Sequence, residues 1–183
     1  MNRALLIVDM QNDYFPGGKM ELVGIEEAAE KVGQLLATFR AKKLPIFHIQ
    51  HLSVNPGATF FLPDSEGVKI HSSVAPEEGE LVIRKHFPNS FRETSLLDEL
   101  RSLDTQELVI CGAMSHMCID TTVRAGFDFG YGCVVVADGC ATRDLNYGAQ
   151  IIQANQVQGA YMASLAAVFA KVTELSGLEA ILD

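Results

Sequence analysis

No stretch of this chain approaches the roughly 18 consecutive apolar residues of a bilayer-spanning helix, so a membrane-spanning reading is excluded. Positive charge is scarce: 14 Lys and Arg stand against 23 Asp and Glu, for a net charge of −9. That balance argues against a nucleic-acid partner, because phosphate backbones are gripped by clustered cations. The most basic stretch, "FRAKKLP", places three cations at a helix end, where they suit the negative pole of the helix dipole. Glycine-rich phosphate loops are missing. "QNDYFPGGKM" has two glycines but neither GxGxxG nor P-loop spacing, which disfavours a flavodoxin-like nucleotide or flavin binder. Among five histidines there is no HxH, HxxxH or DxH pair. His48 and His51, three apart on a strand, face opposite sides, so no protein-bound metal and no cofactor are expected. The four cysteines form no CxxC. The first fifteen residues carry one Arg, a short apolar run broken by Asp9, and no small-residue cleavage site. They read as a buried strand rather than a signal peptide, which favours reduced thiols and a cytoplasmic location.

What is present is an alternation. At 183 residues the chain suits one domain, 1–183, with a sizeable core. "ALLIVDM" is near-continuously apolar, the pattern of a strand buried on both faces. In the following "GIEEAAEKVGQLLATFRAKK", apolar residues recur every three or four positions, predicting an amphipathic helix. Further strands are predicted at "PIFHIQHL", "ELVIRKHF", "QELVICGAM", "GCVVVADGCAT" and "FAKVTEL", and helices at "TSLLDELRSLD", at "CIDTTVRAGFDFG" and over 145–168, the last possibly broken. Residues 53–80 form a long irregular excursion, functional or mobile. Strands alternating with helices imply an α/β domain with a mostly parallel sheet, whose ligands sit at the carboxyl ends of the strands.

Three reactive side chains fall on that edge. Asp9 ends the first strand, Lys85 ends the third, and Cys118 starts the helix after the fourth. A helix N-terminus favours a thiolate and offers N–H groups to an oxyanion, whereas most free cysteines are simply buried hydrophobes. Cys111 and Cys133 read as such core residues, and Cys140 stands on the functional edge. A buried Asp9 needs a partner, which could equally be loop N–H groups. Strand alternation points Lys85 one way and Arg84 and His86 the other, without saying which set is inside. His116 could form a dyad with Cys118 or contact substrate.

Three separated motifs in this order resemble the isochorismatase-like cysteine hydrolases, which include nicotinamidases and carbamoyl-amide hydrolases: "LLIVDMQNDYF", "VIRKHFPNSFRETSLLDELR" and "LVICGAMSHMCIDTTVRAGFDFGY". The resemblance implies a three-layer α/β/α fold with a six-stranded, mostly parallel sheet in the order 3-2-1-4-5-6. It implies a catalytic triad of Asp9, Lys85 and Cys118, and an oxyanion hole from the backbone N–H groups of Met114 and Cys118. A cis peptide is expected between Ala113 and Met114. Gln11, Tyr14, Phe15, Phe91, Ser115 and His116 would line the substrate pocket. The stretch "HIQHLSVNPGATFF" lacks the Asp-x-His pair with which nicotinamidases of the family hold a metal, which disfavours that activity. Members acting on isochorismate tend to lack the cysteine, so its presence points to an amide or another carbonyl. The expectation is a metal-independent amidohydrolase of a small molecule, assembled as a dimer or tetramer. The alternative is a catalytically silent relative that binds a small molecule or a protein in the same pocket.

Overall fold

The computed structural model describes residues 2–182, and the side chains of residues 179–182 are left out of the description. Six parallel strands form the sheet: β1 (Arg3–Val8), β2 (Ile46–His51), β3 (Leu81–Lys85), β4 (Glu107–Ala113), β5 (Gly132–Ala141) and, after the short strands β6 (Leu145–Tyr147) and β7 (Gln150–Ile152), β8 (Lys171–Thr173). Their order is β3-β2-β1-β4-β5-β8. Counting only strands of this sheet, that is the expected 3-2-1-4-5-6.

The helices are α1 (Ile25–Ala41), α2 (Leu96–Ser102), α3 (Asp120–Asp128), α4 (Ala154–Val168) and α5 (Leu175–Leu182). β1 shows why three layers form. Leu5 and Ile7 face a core shared with α1 and α5, while Ala4, Leu6 and Val8 face a second core with α2, α3 and α4. A strand buried on both sides needs no polar alternation, and β1 has none. Among the described residues no helix is long and apolar enough to cross a membrane.

One expectation is corrected. Residues 145–152 are not helix but the antiparallel hairpin β6–β7. Gly148, at φ +60, makes the tight reversal between Tyr147 and Gln150, and helix α4 begins only at Ala154, behind a Gln153–Gln156 capping box. The stretch 53–80 is irregular, as expected, apart from a single helical turn at Ser72–Val74. It is laced to the segment after β1 by Asn12 N–H to Lys69 O, Asp13 N–H to Gly67 O and His71 N–H to Met10 O, each 2.9 Å. The buried Asp13 carboxylate accepts from the Phe61 N–H at 2.6 Å.

β1 and β4 approach closely at their carboxyl ends. Gly112, opposite Val8 in the β1–β4 ladder, has φ +117, and a Cβ there would lie 2.1 Å from the Val8 carbonyl oxygen. Gly112→Ala is therefore expected to force β1 and β4 apart and destabilise the fold by roughly 2–6 kcal/mol, strain and overpacking together. Urea denaturation would check this, and an unchanged midpoint would contradict it.

Candidate active site

The carboxyl edge of the sheet brings the three reactive residues together. Asp9, the first residue past β1, has φ +52, a left-handed conformation that costs a non-glycine residue on the order of 1–3 kcal/mol. Its N–H is held by the Ile49 carbonyl of β2 at 3.0 Å. Lys85 ends β3. Ile83 and Lys85 are buried, Arg84 is exposed and His86 is half-buried, which resolves the alternation left open by the sequence. Cys118 lies in a single wide turn, Ser115–Ile119, in which the Met114 carbonyl accepts from the N–H groups of Met117 (3.0 Å) and Ile119 (3.2 Å). This turn precedes α3, so Cys118 sits just outside the α-helix instead of starting it. The Ala113–Met114 peptide is cis.

Lys85 Nζ is the hub. It donates to Asp9 Oδ2 at 2.7 Å and to Cys118 Sγ at 3.2 Å, and lies 2.9 Å from His51 Nδ1. An ammonium has three N–H bonds, and three candidate acceptors lie within reach of this one. Asp9 and Lys85 are both fully buried. Burial taken alone pulls Lys85 down. The charges of Asp9 and Cys118, with hydrogen bonds to both, reverse this and leave the ammonium above the ordinary lysine value. The Cys118 thiol is pushed well up, by burial first and then by the Asp9 charge, with Lys85 offsetting part of it. Enclosure and the Asp9 charge thus act against the thiolate that a helix N-terminus would favour, which gives a base at this site a purpose. Asp9 Oδ1 is, with His48 Nδ1, one of two buried side-chain polar atoms among the described residues that lack a hydrogen-bond partner.

Asp9, His51 and Cys118 offer donor atoms within 4.8 Å of one another, a grouping that could hold a metal ion. The Lys85 ammonium already contacts all three, and a dication beside a buried ammonium would be strongly repelled.

The other expected pocket residues divide. Tyr14 is buried near the triad. Its phenol lies well above the usual range, through burial and then the negative charges of Cys118 and Asp9. Its ring packs 4.6 Å from Phe61 of the long loop. Phe15 stacks on His71, with centroids 3.7 Å apart. Ser115 contacts the Ala141 carbonyl and Gln158 Oε1, tying its turn to β5 and α4. His116 Nδ1 lies 2.7 Å from Thr142 Oγ1, and its ring meets Tyr161 edge-on, so its contacts run to Thr142 and Tyr161 rather than to Cys118. Gln11 is fully buried, and its amide serves the protein, donating to His51 O (2.9 Å) and Val68 O (2.7 Å) and accepting from His51 N–H (2.8 Å). Phe91 packs in the core against Phe129 and Tyr131.

Sequence reasoning missed His51. The histidines were weighed as metal pairs, and only His116 was considered beside Cys118. The signal available was position, since His51 ends β2 on the same edge as Asp9 and Lys85.

Fold and site together are those of a hydrolase built on a parallel sheet with a buried thiol. Residues 3–174 match the isochorismatase domain. The uncharacterized isochorismatase family protein YddQ of Bacillus subtilis is 51% identical over 172 residues, 94% of this chain and 96% of that protein. A crystal structure of an isochorismatase-type protein from Oleispira antarctica superposes with a TM-score of 0.94 at 48% identity, covering 98% of this chain and 96% of that one. More distant relatives are the streptothricin hydrolase of Streptomyces noursei, 32% identical over 78% of this chain and 51% of that protein, and the ureidoacrylate amidohydrolase RutB of Pseudomonas syringae, 26% identical over 74% and 69%. The chain belongs to the isochorismatase family and is a hydrolase of that family.

Proposed function

We propose that this protein is an amidohydrolase that cleaves a small-molecule amide or related C–N bond through a thioester on Cys118. One observation carries the reading: a fully buried Lys85 ammonium touching both Asp9 and Cys118, beside a carboxylate oxygen, Asp9 Oδ1, that has no partner. An unpaired buried acceptor is costly, and the Asp9 carboxylate lies within 4.8 Å of the Cys118 sulfur whose proton it would take.

In this reading Asp9 takes the Cys118 proton as the sulfur attacks the carbonyl carbon, and Lys85 stabilises the charge on both. The backbone N–H groups of Met114 and Cys118 receive the oxyanion. Collapse of the tetrahedral intermediate breaks the C–N bond, and the proton on Asp9 leaves with the amine. Asp9 then deprotonates water, which attacks the thioester, releasing the acid and returning a proton to the sulfur. Cys118 is only 5% exposed, which suits a small substrate. An amide target is supported by the amidohydrolase among the relatives, and the residues present supply the base, nucleophile and cation without a metal. A homo-oligomer, dimer or tetramer, belongs to the same proposal. Exposed Tyr147, Ile151 and Val168 are apolar surface that assembly would cover.

Primary amides and N-carbamoyl compounds, assayed for ammonia release with and without chelator, test this reading. At least one should be turned over with chelator present and leave a trapped acyl adduct on Cys118 detectable by mass spectrometry. Turnover abolished by chelation, or no adduct and no turnover across the panel, would overturn it.

A further inference from the structure

We propose that His51 is the positioning residue of this site, a neutral imidazole whose Nδ1 accepts the third proton of the Lys85 ammonium and so aims the other two at Asp9 and Cys118. The argument starts from valence. Three N–H bonds at a tetrahedral nitrogen need three acceptors, and a buried ammonium with one N–H unmet either turns away or sheds its proton. Asp9 and Cys118 supply two acceptors. The third lies 2.9 Å away on His51, the neighbour of Lys85 in the β2–β3 ladder.

The imidazole can accept only if Nδ1 is bare, so its proton must sit on Nε2. Its surroundings keep it neutral. Burial first, then the Lys85 charge, bring His51 down to about 4, with Asp9 opposing and His86 reinforcing the shift. The position is also braced. Gln11 grips the His51 backbone from both sides, accepting from its N–H at 2.8 Å and donating to its carbonyl at 2.9 Å, while the other Gln11 N–H is tied to Val68 of the long loop. The ring packs against Phe61 with centroids 5.9 Å apart. A side chain that merely filled space would not need a two-point backbone clamp and a ring nitrogen at hydrogen-bond distance from a catalytic cation.

The kinetic consequence rests on the amidohydrolase reading; the effect on Lys85 does not. The test uses His51→Leu, which removes the acceptor, and His51→Asn, whose Oδ1 is attached where Nδ1 was. In each, the Lys85 side-chain NMR signal is followed through its titration, and the Cys118 reaction with iodoacetamide is timed at neutral pH. Leucine should lower the Lys85 midpoint by about one unit or more, the scale of a lost hydrogen bond to a charged group, and slow labelling at least tenfold. Asparagine should restore both to near wild-type values. An unchanged midpoint and rate in the leucine variant would overturn the proposal, as would a folded asparagine variant that behaves like leucine. If the leucine variant does not fold, asparagine against wild type decides: near-wild-type behaviour supports the role, and a lowered midpoint overturns it. Should wild-type Cys118 label no faster than an ordinary thiol while leucine still lowers the Lys85 midpoint, the hydrolase reading fails and the positioning role stands.

Discussion

Cys118→Ala should reduce turnover of any amide substrate by roughly 10⁵-fold or more, the scale on which triad hydrolases lose activity with their nucleophile. The loss should fall on kcat, because the sulfur forms the covalent bond while the walls of the pocket still bind substrate. Stability should change little, by about 1 kcal/mol, since the substitution removes one buried heavy atom and no charge. Cys118→Ser should be nearly as inactive. Asp9 faces a thiol whose proton is already held tightly, and a hydroxyl holds its proton more tightly still. Steady-state ammonia release beside a thermal melt distinguishes lost chemistry from lost fold. Substantial residual activity in a folded alanine variant would remove the cysteine from the mechanism.

Lys85→Met should be the most damaging single change at the site. The ammonium and the Asp9 carboxylate are both 0% exposed and 2.7 Å apart, so removing the cation leaves a lone charge in the interior. Breaking a buried pair in this way costs about 3–5 kcal/mol, far more than the pair contributes relative to a neutral replacement. The cost belongs to the orphaned carboxylate, so two consequences follow. Adding Asp9→Asn to the methionine variant should recover much of the lost stability, although both variants stay inactive. The single-variant penalty should also shrink in acid, where the lone carboxyl takes up a proton. Urea denaturation of the single and double variants at pH 7 and pH 5 measures both. A double variant no more stable than Lys85→Met would show that packing of the lysine stem, not charge pairing, holds this site.

How far the sequence went is clearest at individual residues. The two-sided burial of β1 was legible in "ALLIVDM", because a parallel central strand has no solvent face to encode. The hairpin at 145–152 was not, because strands of three residues are too short for periodicity to separate from helix, and Gly148 was passed over as a turn signal. Asp9, Lys85 and Cys118 were placed on one edge by strand ends and by family motifs. The inward aim of Lys85 was undecidable, because alternation gives two sets and not their direction. The upward push on the Cys118 thiol was not legible, because local position favours a thiolate while the burial and the Asp9 charge that oppose it come from the fold.

Local pattern was therefore sufficient for the six strands of the parallel sheet and most of the helices, since these depend on residues a few positions apart, and family motifs marked Asp9, Lys85 and Cys118 as candidates. Partnership was not legible. Lys85 meets Asp9 across 76 positions, His51 across 34 and Cys118 across 33, and Gln11 clamps His51 across 40. Those contacts, and the enclosure that sets protonation at the sulfur and the imidazole, exist only once the sheet has brought its strand ends together. Desolvation and hydrogen bonding act through space, and nothing along the chain records them.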